Sequence, residues 1–533
     1  MTGVTVNQPA TLATAIAAMQ KRASAFYEAG NNDAAIQLAL DIVALDSTNI
    51  EARLTAAHAL RESGRFRESL KVLQHVIALD PACVRAHAAS ALALFCLEDW
   101  HSAWRAYEVR FKLMENPPRV TRPGADGNST EMPMWRGGAI PAHILVLGEQ
   151  GLGDTLQFAR YLPQLRQAGA KVTCVVPRGL FRLLRTLDVD IDWRPAEVPG
   201  TVAGIKAWLP LLHLPFVLGL TPAQFTGTVP YLSAEPTLVE QWRARIGTHG
   251  FRIGIVWQGN PDPRIDSGRS APLTAFAPLA QLPGVRLISL QHGHGTAQLE
   301  GAGFPVEVPG PLDSGDDRFI DTAALMQCLD LVVTVDTSIA HLAGALGVRT
   351  FILLKTPAAD WRWLHGREDT LWYPTARLFR QQAPGDWREL LQRVARAAQT
   401  LLPAAPLLLQ APIAVGELID KITILQIKSE RINDAGKVAN VQRELAALEA
   451  TRLAAALDGE RIAAFTSELK AINTQLWDIE DAIRLHEARA DFSESFVALA
   501  RSVYQVNDRR AQVKHAINRE FGSGIVEEKS YAG

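Results

Sequence analysis

The chain has 533 residues, of which 48% are hydrophobic and 21% charged, and a formal net charge of −2. This length is too great for one hydrophobic core and predicts several domains. The near-zero charge argues against a nucleic-acid partner, and the four scattered cysteines form no CxxC pair of the kind that indicates a zinc site. The N-terminus lacks the pattern of a signal peptide, and the longest apolar stretch, Ala207 to Leu220, is too short to span a bilayer. These features predict a cytoplasmic protein without a transmembrane segment.

The first hundred residues repeat with a period of 34. The small residues Ala23, Ala57 and Ala91 are spaced by this period, and small side chains at such positions let two helices approach closely. The pattern resembles the tetratricopeptide repeat over residues 15–115. We therefore predict a repeat domain over 1–118. Its surface either binds a partner or packs on the next domain or on a second copy of the chain.

Two α/β halves follow a linker over 119–142 that is rich in proline and glycine. The first half, over 143–248, begins with a buried strand at His143–Gly148, a glycine-bearing loop and a helix from Asp154 onward. The second half, over 249–402, restarts the same pattern of strands and helices. Sheets of this kind place ligands at the carboxyl ends of their strands, so the sequence predicts a cleft between the halves.

The loop Asp336-Thr337-Ser338 follows the predicted strand Leu329–Val335. Thr337 or Ser338 can cap the next helix, whose free backbone N–H groups and positive dipole end form a site suited to a diphosphate. His341 lies one turn into that helix, on the face that can reach the same anion. From the spacing alone, a plain capped helix with a satisfied histidine is the alternative.

Six blocks in order along the chain resemble the catalytic part of tetratricopeptide-containing bacterial glycosyltransferases. They are GEQGLGDTLQFARYLP (148–163), GIVWQGNPDPRIDSGRSAPL (254–273), SLQ (289–291), DTAAL (321–325), VDTSIAHLAGALG (335–347) and DWRWLHGREDTLWYPTARLF (360–379). These enzymes are related to the lipopolysaccharide heptosyltransferases of glycosyltransferase family 9, which have the GT-B fold. The resemblance implies an inverting, metal-independent transfer from a nucleotide-diphospho-sugar, held mainly by the second half, without a cofactor. The implied acceptor, held mainly by the first half, is a protein or a surface polysaccharide, with the repeats as a candidate platform.

The resemblance also assigns roles to single residues. Asp154, after Gly153, matches the acidic residue proposed as the general base, with helix capping as the alternative role. The rest of the acceptor-side loop comprises Glu149, Gln150 and Gly151. The donor side comprises Trp257, Gln258, Gly259, Asn260, Arg264, Arg269, Gln291, Asp336, Thr337, Ser338 and His341. Arg264 and Arg269 are candidates for the cation that neutralises the leaving group, with Arg269 preferred, and Gln291 is a candidate for binding the nucleotide base.

Two positions depart from the family pattern. His292 stands where a lysine is common, so no role is assigned to it. Ser338 stands where the heptosyltransferases commonly have a glycine, which leaves the identity of the donor open. The acidic run Asp188, Asp190 and Asp192 looks like a metal-binding motif. Its alternation predicts instead one face of a short, solvated strand, and we predict no metal site.

A second linker over 403–412 precedes a glycine-poor region over 413–533. Its apolar stripes predict a bundle of about four helices. The region resembles an uncharacterised bacterial helical domain that accompanies such transferases. One polar series is interpreted as a solvated helix face, with an anion or partner site as the alternative: Asn507, Arg509, Arg510, Lys514 and Asn518.

The predicted fold class is therefore multidomain, with all-α tetratricopeptide repeats, then a GT-B pair of Rossmann-like halves, then an all-α helical bundle. The predicted function is glycosyl transfer, with protein glycosylation as one form and homo-oligomerisation left open. The alternative is a catalytically degenerate nucleotide-binding adaptor that uses the repeats and the bundle to bind other proteins. A nucleotide-sugar epimerase is disfavoured because such enzymes lack the repeats and would need different acid and base carboxylates.

Overall fold

The computed structural model describes residues 8–113, 120–123, 129–197, 202–262, 266, 268–403 and 411–525. The chain divides into two compact units, Met1–Pro403 and Ala404–Gly533. Most of the predicted second linker, residues 404–410, lies outside the described residues. None of the helices described is long and apolar enough to cross a membrane.

Helices in consecutive packed pairs form the N-terminal repeats, which confirms the prediction from the 34-residue period. They are α1 (Gln8–Glu28), α2 (Asn32–Leu45), α3 (Ile50–Glu62), α4 (Phe66–Leu79), α5 (Val84–Cys96) and α6 (Trp100–Tyr107), which continues as a 3₁₀ turn over Glu108–Leu113. The turns between paired helices fall at Gly30 and Gly64, whose φ angles of +74° and +75° favour glycine. The recurring alanines at the helix contacts are buried, as close packing requires.

The predicted linker over 119–142 contains an antiparallel hairpin of β1 (Thr121–Pro123) and β2 (Ser129–Glu131). Met134 then forms a parallel bridge to Trp208, at the edge of the first sheet. This segment is therefore more than a plain connection, because part of its backbone pairs with an otherwise open sheet edge.

A parallel sheet in the order β5-β4-β3-β6 forms the first α/β half. Its strands are β3 (His143–Leu147), β4 (Lys171–Val176), β5 (Asp192–Pro195) and β6 (Ala207–Pro210), and its helices are α7 (Leu152–Phe158), α8 (Leu162–Gln167), α9 (Phe181–Leu184), α10 (Leu214–Val217) and α11 (Pro236–Ile246). The helix predicted from Asp154 begins two residues earlier and is interrupted by a 3₁₀ turn over Ala159–Tyr161.

The second half contains a parallel sheet in the order β11-β10-β9-β7-β8. Its strands are β7 (Phe251–Val256), β8 (Val285–Ser289), β9 (Leu331–Val335), β10 (Thr350–Leu354) and β11 (Ala376–Arg380). The helices described around it include Ala277–Ala280, Ile320–Met326, Ser338–Ala345 and Trp387–Gln399. Strands β9 and β10 are buried throughout, as expected for a sheet covered on both faces. Two such halves confirm the predicted GT-B arrangement.

One hydrophobic core joins the last repeat to both α/β halves. The ring of Phe95 stacks on Trp361 with centroids 4.1 Å apart, and Trp104 meets Phe158 edge to face. Lys355 also pairs with Glu62 at 3.4 Å. Of the arrangements that the sequence left open for the repeats, the structure shows packing on the next domain.

The acidic run of the first half does not form one face of a strand, so that interpretation is wrong. Asp188 ends a 3₁₀ turn with a φ of +53°, and β5 begins only at Asp192. Asp190 pairs with Arg166 at 2.8 Å and is 91% exposed. Across the described ranges, no group of three or more His, Cys, Asp or Glu residues could hold a metal ion.

The C-terminal unit is a helical bundle, as predicted. Its helices within residues 411–525 are Val415–Arg431, Ala435–Ala454, Glu460–Ala488 and Glu494–Glu520. Asp420 is fully buried and accepts hydrogen bonds from Arg510 Nε at 2.8 Å and from Asn473 Nδ2 at 2.8 Å. Lys514 and Asn518 also bond to the first helix of the bundle. The solvated-face interpretation is therefore wrong for Arg510, Lys514 and Asn518, because their partners lie on a helix distant in sequence.

Replacing Phe95 with alanine should strongly destabilise the first unit. Phe95 is fully buried among aromatic rings, and the cavity left by its ring should cost about 3–5 kcal/mol. Leu45→Ala is the matched control, because Leu45 lies in the same repeats but its side chain is 52% exposed. This substitution should change the free energy of unfolding by about 0.5 kcal/mol or less. Urea unfolding followed by tryptophan fluorescence measures both. Equal midpoints for the two variants would contradict a core shared by the repeats and the α/β halves.

Candidate functional site

A cleft of about 880 Å³ lies where the carboxyl ends of strands from the two sheets meet. The predicted site residues that line it are Gln150, Gly151, Gly153, Asp154, Gln258, Gly259, Asn260, Arg269, Gln291, Asp336, Thr337, Ser338 and His341. His292 lines it as well. Trp257 is fully buried instead, and Arg264 lies outside the described residues. The structure therefore brings together most of the predicted site residues, although they are spread over nearly 200 residues of sequence.

Helix α7 of the first half and helix Ser338–Ala345 of the second approach each other at Gly153. A Cβ atom at this position would lie 2.8 Å from His341 Cδ2 and 3.2 Å from Ser338 Cα. Such distances leave no room for a side chain. Glycine at residue 153 thus lets two helix N-termini, one from each half, meet at the cleft.

Asp154 is held from two sides. Its Oδ2 accepts the backbone N–H of Gly151 at 2.8 Å, which is the capping role that the sequence offered as the alternative. Its Oδ1 pairs with the guanidinium of Arg362, which follows β10. The Asp154 side chain remains 18% exposed at the cleft wall. Capping and a role in the cleft are therefore compatible, since each carboxylate oxygen has a further lone pair.

Arg362 is almost buried, with 6% of its side chain exposed. Its Nε donates to Gln157 Oε1 at 2.7 Å, and its Nη1 donates to Asp360 Oδ1 at 3.0 Å. Burial disfavours the charged guanidinium, but the carboxylates of Asp360 and Asp154 outweigh burial and raise the pKa of Arg362. This arginine is a permanent cation whose hydrogen bonds are already made within the protein.

The second half presents a corner in which a guanidinium lies beside the start of a helix. Thr337 caps helix Ser338–Ala345, and its Oγ1 accepts the N–H of Ile339 at 3.2 Å. A Cβ at Gly259 would lie 2.7 Å from Arg269 Nη2 and 3.3 Å from Thr337 Cγ2, so only glycine lets the guanidinium lie here. Arg269 Nε is buried and has no hydrogen-bond partner among the described residues. A cation beside a helix N-terminus suits a phosphate group.

Two titratable groups adjoin this corner. Burial raises the pKa of Asp336 to about 6, and the carboxylate of Asp360 adds to the rise. His341 Nδ1 forms a hydrogen bond with Tyr373 Oη at 2.9 Å. Burial lowers the pKa of His341 well below its usual value. The imidazole is therefore neutral near neutral pH, and it offers the cleft a neutral ring rather than a cation.

Gln291 makes contacts that differ from its expected role with the nucleotide base. Its Oε1 accepts the backbone N–H groups of Trp257 at 3.0 Å and Gln258 at 3.1 Å. Its Nε2 donates to the carbonyl oxygens of Gln258 at 2.8 Å and His294 at 2.7 Å. The amide is therefore fully engaged in fixing the loop after β7, which helps to explain why a glutamine stands here.

The structure also changes the set of charged groups at the cleft. Glu149 is engaged in an ion pair with Arg110 at 2.7 Å, each side chain being 7% exposed, and is not free to act on a ligand. Asp360, Arg362 and Arg318 line the cleft, although sequence reasoning gave them no role. The sequence did contain a signal for Asp360 and Arg362, because both lie in the last of the six transferase-like blocks.

Two families match parts of the chain. Residues 26–93 match the tetratricopeptide repeat, and residues 409–533 match a family of unknown function (DUF6165). Among curated proteins, protein FlbA of Caulobacter vibrioides is 27% identical over 339 residues, which are 58% of this chain and 54% of that protein. The chain thus spans about half the length of the curated relative it matches.

Solved structures that are similar include glycosyltransferases. A glycosyl transferase family 9 protein from Veillonella parvula is 12% identical, covers 50% of this chain and 99% of its own, and has a TM-score of 0.37. An ADP-heptose lipopolysaccharide heptosyltransferase II from E. coli is 16% identical, covers 49% and 98%, and has a TM-score of 0.36. An O-GlcNAc transferase from Thermobaculum terrenum is 14% identical, covers 88% and 97%, and has a TM-score of 0.26. The family models confirm tetratricopeptide repeats near the start of the chain and an uncharacterised helical domain over its last part.

Proposed function

We propose that this chain is an inverting glycosyltransferase that moves a hexosyl or heptosyl group from a nucleotide-diphospho-sugar. The observation that carries the proposal is the pairing, in one cleft, of Arg269 beside a capped helix N-terminus with the carboxylate of Asp154 from the other half. The first feature suits a leaving diphosphate, and the second suits removal of a proton from an acceptor hydroxyl. The cleft volume of about 880 Å³ is in the range of small-molecule sites.

The proposed reaction is a single displacement. The acceptor oxygen attacks the anomeric carbon from the face opposite the diphosphate, which inverts that carbon. As the new carbon–oxygen bond forms, the bond to the diphosphate oxygen breaks and the diphosphate leaves with the electron pair. Asp154 takes the hydroxyl proton through a lone pair that neither Gly151 nor Arg362 uses. Arg269 and the N–H groups at the start of helix Ser338–Ala345 stabilise the leaving charge, a task that this proposal assigns to the protein without a metal.

The acceptor in this proposal is a protein or a surface polysaccharide that lies along the repeats. The support is the position of the last repeat, which packs against loops that line the cleft. A polymer bound to the repeats would therefore lie next to the site of transfer.

Arg269→Gln should weaken binding of a nucleoside diphosphate by about 10- to 100-fold, because it removes a charge-assisted hydrogen bond. Arg166→Gln is the matched control, because Arg166 pairs with an exposed aspartate outside the cleft. This variant should bind the nucleoside diphosphate with the affinity of the wild type. Calorimetry with a panel of nucleoside diphosphates measures both. Equal affinities in the two variants would remove Arg269 from the donor site. If the wild-type chain binds no nucleotide, the transferase and the nucleotide-binding adaptor are both wrong.

Donor affinity should rise several-fold as the pH falls from about 8 to about 6. The pKa of Asp336 is raised to about 6, so its carboxylate is charged above that pH and repels the diphosphate, and protonation relieves the repulsion. A nucleotide-diphospho-sugar is the suitable probe, because both of its phosphates stay ionised over this range. Asp336→Asn, which is neutral at every pH, should flatten the dependence. If the donor affinity of Asp336→Asn still rises as the pH falls, a group other than Asp336 is responsible for the pH dependence.

Asp154→Asn should lower the transfer rate by about 10² to 10⁴ while donor affinity hardly changes, because the diphosphate is bound by the other half. Asparagine is about as good a helix cap as aspartate, so capping alone would cost little. The substitution also removes the charge that pairs with Arg362, and Asp360→Asn, which removes the other carboxylate from the same guanidinium, measures the cost of such a loss. Asp386→Asn is the matched control, since Asp386 caps helix Trp387–Gln399 away from the cleft. Released nucleotide and transferred sugar are both measured. A transfer rate of Asp154→Asn within a few-fold of the wild-type rate would contradict the general-base assignment. If the wild-type chain binds nucleotide but transfers no sugar, the adaptor is favoured.

A further inference from the structure

The loop between β3 and α7 contains a residue in an unusual backbone conformation. Gln150 has a φ of +60°, in the left-handed region that residues other than glycine rarely adopt. It lines the cleft in the same loop that leads to Asp154. Such a conformation persists only where its surroundings hold it. The contacts of this loop therefore determine where its polar groups lie.

Several of those contacts come from the last repeat, in addition to a hydrogen bond from the backbone N–H of Leu212 to Glu149 Oε1 at 3.3 Å. Gln150 Nε2 donates to Tyr107 Oη at 2.6 Å. Arg110 donates two hydrogen bonds to Glu149, from Nη2 to Oε1 at 2.7 Å and from Nε to Oε2 at 2.8 Å. Tyr107 ends α6, and Arg110 lies in the 3₁₀ turn that continues it. Two consecutive loop residues are thus fixed by one short stretch of the repeat module.

The same repeat also contacts the loop on the opposite side of the cleft. Phe95, on α5, stacks on Trp361 with an interplanar angle of 19°. Trp361 directly precedes Arg362, whose guanidinium pairs with Asp154. Loops from both α/β halves therefore rest on the last repeat, although that repeat carries none of the six transferase-like blocks.

We propose that the last repeat is part of the framework of the active centre and that Tyr107 and Arg110 are positioning residues for transfer. They act through Gln150 and Glu149, by holding the acceptor-side loop in the conformation that presents Asp154 to the cleft. This inference rests on the proposed function for its effect on the reaction. A purely structural role would require only that the repeats stay packed on the α/β halves.

Tyr107→Phe tests the proposal, because it removes one hydroxyl and leaves the packing ring. It should lower kcat for transfer by about tenfold or more, since a small displacement of a reacting group is enough, and leave the donor Kd within about twofold. Tyr27→Phe makes the same change in the first repeat, away from the cleft, and should keep the wild-type kcat. Hydrogen–deuterium exchange over residues 149–154 should increase in Tyr107→Phe and not in Tyr27→Phe.

Gln150→Gly provides a second arm, since glycine adopts a φ of +60° without strain. If the Tyr107 hydroxyl acts by holding this conformation, Tyr107→Phe should reduce kcat less in the Gln150→Gly background than in the wild type. Equal kcat and equal exchange in Tyr107→Phe and Tyr27→Phe would overturn the proposal. The exchange measurement needs no donor. A chain that transfers no sugar would therefore refute the proposed function, while the exchange data still decide whether Tyr107 holds the loop.

Discussion

Arg362 and Asp154 meet across the cleft, and much of the geometry of the site depends on this ion pair. Arg362 is nearly buried, and a guanidinium removed from water requires partners for its N–H groups. Asp154, Asp360 and Gln157 are those partners, two of them from the first half and one from the second. The pair therefore links the halves at the point where their loops face each other. The carboxylate of Asp154 thus serves at once as a helix cap and as a partner of Arg362 at the cleft wall.

Two glycines make the rest of this arrangement sterically feasible. Gly153 allows the start of α7 to lie against His341 and Ser338, and Gly259 leaves space for the guanidinium of Arg269 beside Thr337. In both places any side chain would displace a group that lines the cleft. Close backbone packing thus brings the N–H groups of a helix start and the guanidinium of Arg269 together in this corner.

The repeats belong to the same structural unit as the two α/β halves. Their last helices share the hydrophobic core of the first sheet and form a buried ion pair, Arg110 with Glu149, to the loop after β3. Removal of either partner would leave an uncompensated charge in a nonpolar setting, which is strongly unfavourable. A view of the repeats as a detachable platform therefore does not fit this chain, even if their exposed surface also binds an acceptor.

Features that depend on neighbours in sequence were predictable. The 34-residue period predicted the helical pairs, and the apolar runs predicted strands such as β3 and β9. Thr337 was predictable as a cap because a cap and its helix are adjacent. The six blocks further indicated which loops would meet, and most of their candidate residues do line one cleft.

The partners of the charged and amide groups were not predictable, because each is set by residues that are distant along the chain. Arg362 contacts Asp154 across 208 positions, and Arg110 contacts Glu149 across 39. Gln291 was expected to face a nucleotide base, yet its amide is taken up by the backbone of Trp257 and Gln258. Sequence alone determined the elements and the loops, since helix periodicity, strand patterning and capping act locally. The tertiary structure decided which side chains remain available to a ligand, because burial and long-range hydrogen bonds exist only once those loops are packed together.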